Sequence, residues 1–93
     1  MVLGVLHLNL LVPDAMSLKD KRRVIKGLKD RIAARHNVSV AEIDHLDAHR
    51  RAEVAVVMVS NQRRFIDSCL SKIVDEVRGR HGVEILDYDI EWL

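Results

Sequence analysis

Residues 2–12 alternate with a period of two. Val2, Leu6, Leu8, Leu10 and Val12 make an even row that is apolar apart from Gly4, while the odd row of Leu3, Val5, His7, Asn9 and Leu11 is mixed. One apolar and one half-apolar face predict a strand inside a sheet. Pro13-Asp14 ends it, because proline has no N–H for a ladder. The period then becomes helical: Leu18, Ile25, Leu28 and Ile32 share one stripe, with Val24 at its edge. Ser17-Leu18-Lys19-Asp20 reads as a capping box with aspartate in the glutamate position, and Asn37 is the expected terminator after a basic last turn. Residues 38–46 and 51–60 predict two more strands. The first carries only Val38, Val40 and Ile43 and suits an edge; the second, around Ala52–Val59, is apolar on both faces and suits the interior. Asp47-Ala48-His49-Arg50 is the expected hairpin turn. Ser60 or Asn61 caps a second helix running to about Gly79, with the stripe Phe65, Ile66, Cys69, Leu70, Ile73, Val74 and Val77. After a turn at 78–82, residues 83–92 predict a last strand in which Leu86, Tyr88, Ile90 and Trp92 alternate with Asp87, Asp89 and Glu91.

The order β-α-β-β-α-β, with two helices on one side of a four-stranded antiparallel sheet, defines an α+β, ferredoxin-like fold. Right-handed crossovers place the first and third strands in the middle. Ninety-three residues suit a single domain, 1–93. Two helices cover only one face, yet both central strands are apolar on both. The open face is therefore expected to pair with a second copy, most simply as a symmetric homodimer.

Composition narrows the function classes. Aromatic residues make up 3% of the chain, and none lies on the predicted central strands. Base stacking of the RNA-recognition-motif kind is thereby excluded for that face. One cysteine, Cys69, excludes an internal disulfide and a thiolate-rich zinc site; its place in the helical stripe marks it as a core thiol. The apolar runs are shorter than a membrane span, and residues 1–12 lack the basic start and cleavage site of a signal peptide. The chain is expected in the cytoplasm.

Charge changes the picture further. The net charge is +1, but residues 19–36 hold eight lysines and arginines against Asp20 and Asp30. That segment carries +6 and the rest of the chain −5. Lys19, Lys21, Arg22 and Arg23 crowd a helix start, where the dipole favours acids. With free helix amides and Ser17, such a start can hold phosphate. Lys21 falls inside the apolar stripe. It either packs its stem and snorkels, or anchors an anion or carboxylate where strand meets helix.

Other groups carry less. Asp44, His45, Asp47 and His49 offer metal-ligand chemistry, but strand alternation would separate neighbours, and a polar hairpin tip explains them. His7 and Asn9 share a strand face and are expected to be a satisfied polar pair, since no nucleophile is placed beside them. An acylphosphatase-like phosphate loop would need glycine where Val12–Met16 has none.

Pro13-Asp14, the run Ser17-Leu18-Lys19-Asp20-Lys21-Arg22-Arg23, Asn37–Glu42, Asp44–Asp47 and Val59-Ser60-Asn61 together resemble the YlxP-like family of small bacterial proteins of unknown function. The resemblance covers essentially the whole chain. It implies a ferredoxin-like fold and supplies no catalytic residues. In some bacteria the family is encoded beside translation-initiation and ribosome-maturation factors, which implies an RNA- or ribosome-linked role. Where the family commonly has Asp-x-Gln-Asp, this chain has Asp44-His45-Leu46-Asp47.

The expectation is therefore a non-enzymatic, cofactor-free accessory factor that binds RNA phosphate. Ser17, Lys19, Lys21, Arg22, Arg23 and Lys26 are its contacts, with RNA or a ribosomal subunit as partner. The competing expectations are a dimeric protein-interaction module and a small enzyme acting on a phosphorylated metabolite.

Overall fold

Leu6, Leu8, Leu10 and Val12 are sealed beneath two helices, so the even row of the first strand is the floor of the core. The computed structural model describes residues 1–93 as β1 (Val2–Leu11), α1 (Leu18–Arg35), β2 (Ser39–Asp44), β3 (Arg51–Ser60), α2 (Arg63–Arg78) and β4 (Glu84–Trp92). The strands form one antiparallel sheet in the order β2-β3-β1-β4. This is the ferredoxin-like arrangement, with the two strands that are apolar on both faces in the middle.

The core joins that row to Ala52, Val54, Val56 and Met58 of β3, to Ile25, Leu28 and Ile32 of α1, and to Ile66, Leu70, Ile73, Val74 and Val77 of α2. Gly4 interrupts the even row because α2 crosses β1 there. A Cβ at Gly4 would lie 2.6 Å from Ile66 Cγ2 and 3.1 Å from the Trp92 ring. At the far side of α2, Arg63 lies over the Trp92 ring at 4.3 Å and Arg78 over the Tyr88 ring at 5.4 Å. These cation–π contacts tie β4 to the helix.

Four local expectations are corrected. The N-cap of α2 is Gln62, which makes no side-chain cap; Ser60 Oγ instead accepts the Gln62 N–H. Phe65 leaves the apolar stripe and is exposed, because Ile66 starts the row that faces the sheet. The C-cap of α1 is His36 rather than Asn37, its N–H donating to the Ile32 carbonyl. A register shift between Asn9 and Leu10 puts Ile85 opposite Leu10, so Leu86 points to solvent. A bulge resets strand parity, which simple alternation cannot show.

The open face of the sheet is mixed. Leu3 pairs with Val59 and Val5 with Val57, forming an apolar end. Beyond it lie His7, Asn9, Glu53 and Arg51, and β4 adds Asp87, Asp89 and Glu91 alongside them.

A candidate anion-binding surface on the first helix

The start of α1 is closed by its own side chains. Ser17 Oγ accepts the Asp20 N–H at 3.1 Å, and Asp20 Oδ2 accepts the Met16 N–H at 3.0 Å. The Ser17 half is the capping box expected of the sequence, but Asp20 reaches back to Met16, one residue before the cap, and places a carboxylate at the positive end of the helix. The Ser17 hydroxyl and the Asp20 N–H are thereby engaged with each other inside the protein.

Lys21 is fully buried. Its ammonium donates to Glu42 Oε2 at 2.8 Å, to the His45 carbonyl at 2.8 Å and to the Arg51 carbonyl at 3.2 Å, with the Leu46 carbonyl at 3.5 Å. An ammonium has three N–H bonds, and the three shorter contacts use them all. Lys21 does not snorkel. It anchors a carboxylate where strand meets helix, and the carboxylate is the protein's own. Lys21 is thereby corrected out of the set of phosphate contacts: no donor is left and no path reaches it from solvent. Lys21 is equally out of reach of a phosphorylated metabolite at this helix start.

The residues missed by sequence reasoning are its partners. Glu42 and the carbonyls of the β2–β3 connection come to Lys21 only once the sheet is laid against α1. His45 sits there at φ 60°, in the left-handed region that few non-glycine residues adopt. Around that tip, Asp44 Oδ1 accepts the His45 N–H at 2.7 Å. No three histidine, cysteine or acidic side chains come together to hold a metal ion, at this tip or elsewhere.

His7 and Asn9 lie on the open face, as their shared parity requires. His7 Nε2 is 3.1 Å from Glu91 Oε1, and its Nδ1 is 3.9 Å from Glu53. Asn9 Oδ1 accepts from Arg51 Nη2 at 2.8 Å. The two are satisfied separately, by carboxylates and by a guanidinium.

Lys19, Arg22, Arg23 and Lys26 remain on the exposed side of α1. No carboxylate lies within 4.0 Å of Lys19, Arg22, Arg23, Lys29 or Arg31. Lys26 is bonded to Asp30 at 2.6 Å. That hydrogen bond, followed by the charge of Asp30, raises the Lys26 pKa above its ordinary value. Two of α2's cations, Arg63 and Arg78, are engaged with aromatic rings. The helical layer of the molecule is thus basic along α1, and the sheet face carries Glu53, Asp87, Asp89 and Glu91. At the end of α1, His36 Nε2 meets Glu76 at 3.0 Å and Arg35 meets it at 3.7 Å, joining the two helices.

Fold and surface define a ferredoxin-like protein with a basic helical face and an acidic sheet face. The chain belongs to the family described as "Protein of unknown function (DUF503)", whose model matches residues 3–90. It is similar to the uncharacterized protein YlxP of Bacillus subtilis (strain 168), with 28% identity over 91 residues, covering 98% of this chain and 99% of that protein. The likeness drawn from segments between Pro13 and Asn61, and expected over essentially the whole chain, holds over nearly its whole length.

Proposed function

We propose that this protein is a non-enzymatic accessory factor of the cytoplasm that binds the phosphate backbone of RNA, on a ribosomal subunit, through the exposed side of α1. One observation carries the reading: the cations of α1 outnumber its two acids, and Lys19, Arg22, Arg23, Lys29 and Arg31 have no carboxylate partner. A cationic surface of this kind attracts a polyanion and gains from counterion release, whereas paired surface charges would gain little. Phosphate contacts position a protein without reading bases, which suits a surface with arginine and lysine but no aromatic platform.

Lys19, Arg22, Arg23 and Lys26 are the contacts in this reading. Ser17 caps the helix and Lys21 holds the fold behind them. Four phosphate contacts on single-stranded RNA give a slope of about −3 for log affinity against log salt. Co-sedimentation with ribosomal subunits and with free ribosomal RNA across a salt series measures it. The double variant Arg22→Glu with Lys26→Glu should abolish binding with the helical circular dichroism unchanged. Unchanged affinity in that variant, or binding indifferent to salt, would sink the reading.

The apolar end of the open sheet face supports a second element of the proposal. Leu3, Val57 and Val59 lie there around the buried Val5, and Val59 is 57% exposed. A second copy is the occupant that fits, because a two-fold axis sets the same apolar patch against itself. The helices of both copies then face outward.

A further inference from the structure

α1 carries a second basic row. Arg23, Gly27, Arg31 and Arg35 recur every four residues, which is the spacing of a ridge along a helix. Gly27 is a gap in the ridge, and a side chain from the turn after α2 fills it. Arg80, just beyond the end of α2, lays its guanidinium there, with Nη2 3.1 Å from where a Gly27 Cβ would stand. Three arginines of α1 and one from the turn after α2 thus form a single row about 18 Å long, given a rise of about 1.5 Å per residue.

Between the helices this row borders a cleft of about 340 Å³. Its floor is apolar, and its walls are Arg31, Arg35 and Arg80 with Asp75 and Glu76. Glu76 is committed to His36 and Arg35. Asp75 shares the cleft, yet neither Arg31 nor Arg80 has a carboxylate within 4.0 Å. Two guanidiniums free of direct ion pairs therefore line one concave space, in which three arginines outnumber the carboxylates of Asp75 and Glu76. A guanidinium presents planar pairs of N–H donors that match phosphate oxygens, and the concave shape over an apolar floor concentrates the attraction.

We propose that this interhelical cleft seats one phosphate group of the RNA backbone on Arg31 and Arg80, with Arg23 and Arg35 contacting the phosphates on either side. The inference rests on the RNA-binding reading of α1 and locates its anchoring point on the flank of the helix that faces α2. The same chemistry would accept free phosphate, so the experiment separates the two sources.

Three variants are compared by fluorescence anisotropy with a short labelled single-stranded RNA at one salt concentration. Arg31→Gln with Arg80→Gln removes the cleft pair. Arg22→Gln with Lys26→Gln removes equal charge from the outer flank. Gly27→Leu keeps every charge and pushes Arg80 out of its place; glycine is a poor helix former, so this variant also guards against misfolding. In parallel, the arginine Nε–Hε signals of the unaltered protein are followed by NMR as inorganic phosphate is added.

The expected result is at least a tenfold greater loss of RNA affinity in the cleft pair than in the outer pair. Gly27→Leu should also lose affinity, and phosphate should shift the Arg31 and Arg80 signals selectively. Equal losses in the two double variants, with Gly27→Leu unaffected, overturn the cleft and leave the RNA-binding reading standing. Selective phosphate shifts in a protein that does not bind RNA overturn both and make the cleft a site for free phosphate. Neither RNA binding nor phosphate shifts also overturns both.

Discussion

Lys21 shows what a single side chain contributes here. An ammonium taken out of water is stable only when its charge and all its donors are met, and Glu42 with two well-placed carbonyls meets them. Removing one partner is therefore far worse than never having had the pair. Lys21→Met should lower unfolding free energy by about 3–5 kcal/mol, because Glu42 is left largely enclosed without a counter-charge. Lys21→Met combined with Glu42→Leu should recover most of that loss. Urea unfolding of both variants measures it, and a loss below about 1 kcal/mol in the single variant would contradict the buried-pair account. Position 21 was conspicuous in the sequence, since a lysine sat inside an apolar stripe. Its partner was not, because Glu42 belongs to a strand whose distance from α1 only the folded sheet defines.

At the scale of elements, the pattern of periods decided the architecture. Four alternating segments and two helical stripes were enough to place β1 and β3 centrally, since only they are apolar on both faces. Details set by one residue of backbone geometry escaped: the bulge that turns Leu86 outward, the uncapped start of α2 at Gln62, and the exposure of Phe65. The Arg80–Gly27 contact escaped for a different reason. A glycine in a helix has no local signature of what will occupy its empty flank. Gly4 is the counterpart in the sheet, where the gap lets α2 approach β1. Gly4→Ala puts a methyl group against Ile66, Trp92 and Leu70. It should cost about 1–3 kcal/mol by overpacking, although alanine normally suits a strand better than glycine. Thermal unfolding tests this directly. A variant as stable as the parent would mean that α2 can shift freely over the sheet.

Across the whole molecule, the two layers carry opposite charge, and this constrains how copies assemble. Pairing through the helical layer would press the α1 cations together and cover the surface proposed for RNA. Pairing through the sheet can instead use the apolar end at Leu3, Val5, Val57 and Val59, leaving the acidic row of β4 at the rim. The proposed dimer then displays two basic helical layers pointing away from each other. Two consequences follow from that geometry. Sedimentation equilibrium should give twice the 10.6 kDa chain mass. Val57→Glu with Val59→Glu should return a folded monomer, since it adds like charges to a self-facing patch. The monomer should also bind a short RNA as well as the parent does, but bind long RNA less tightly, because linked sites gain from effective concentration only when one strand reaches both. A parent protein that is monomeric at every concentration would remove the dimer and leave the α1 surface untouched. A dimer whose loss weakens short and long RNA equally would contradict two basic layers that one long strand reaches together.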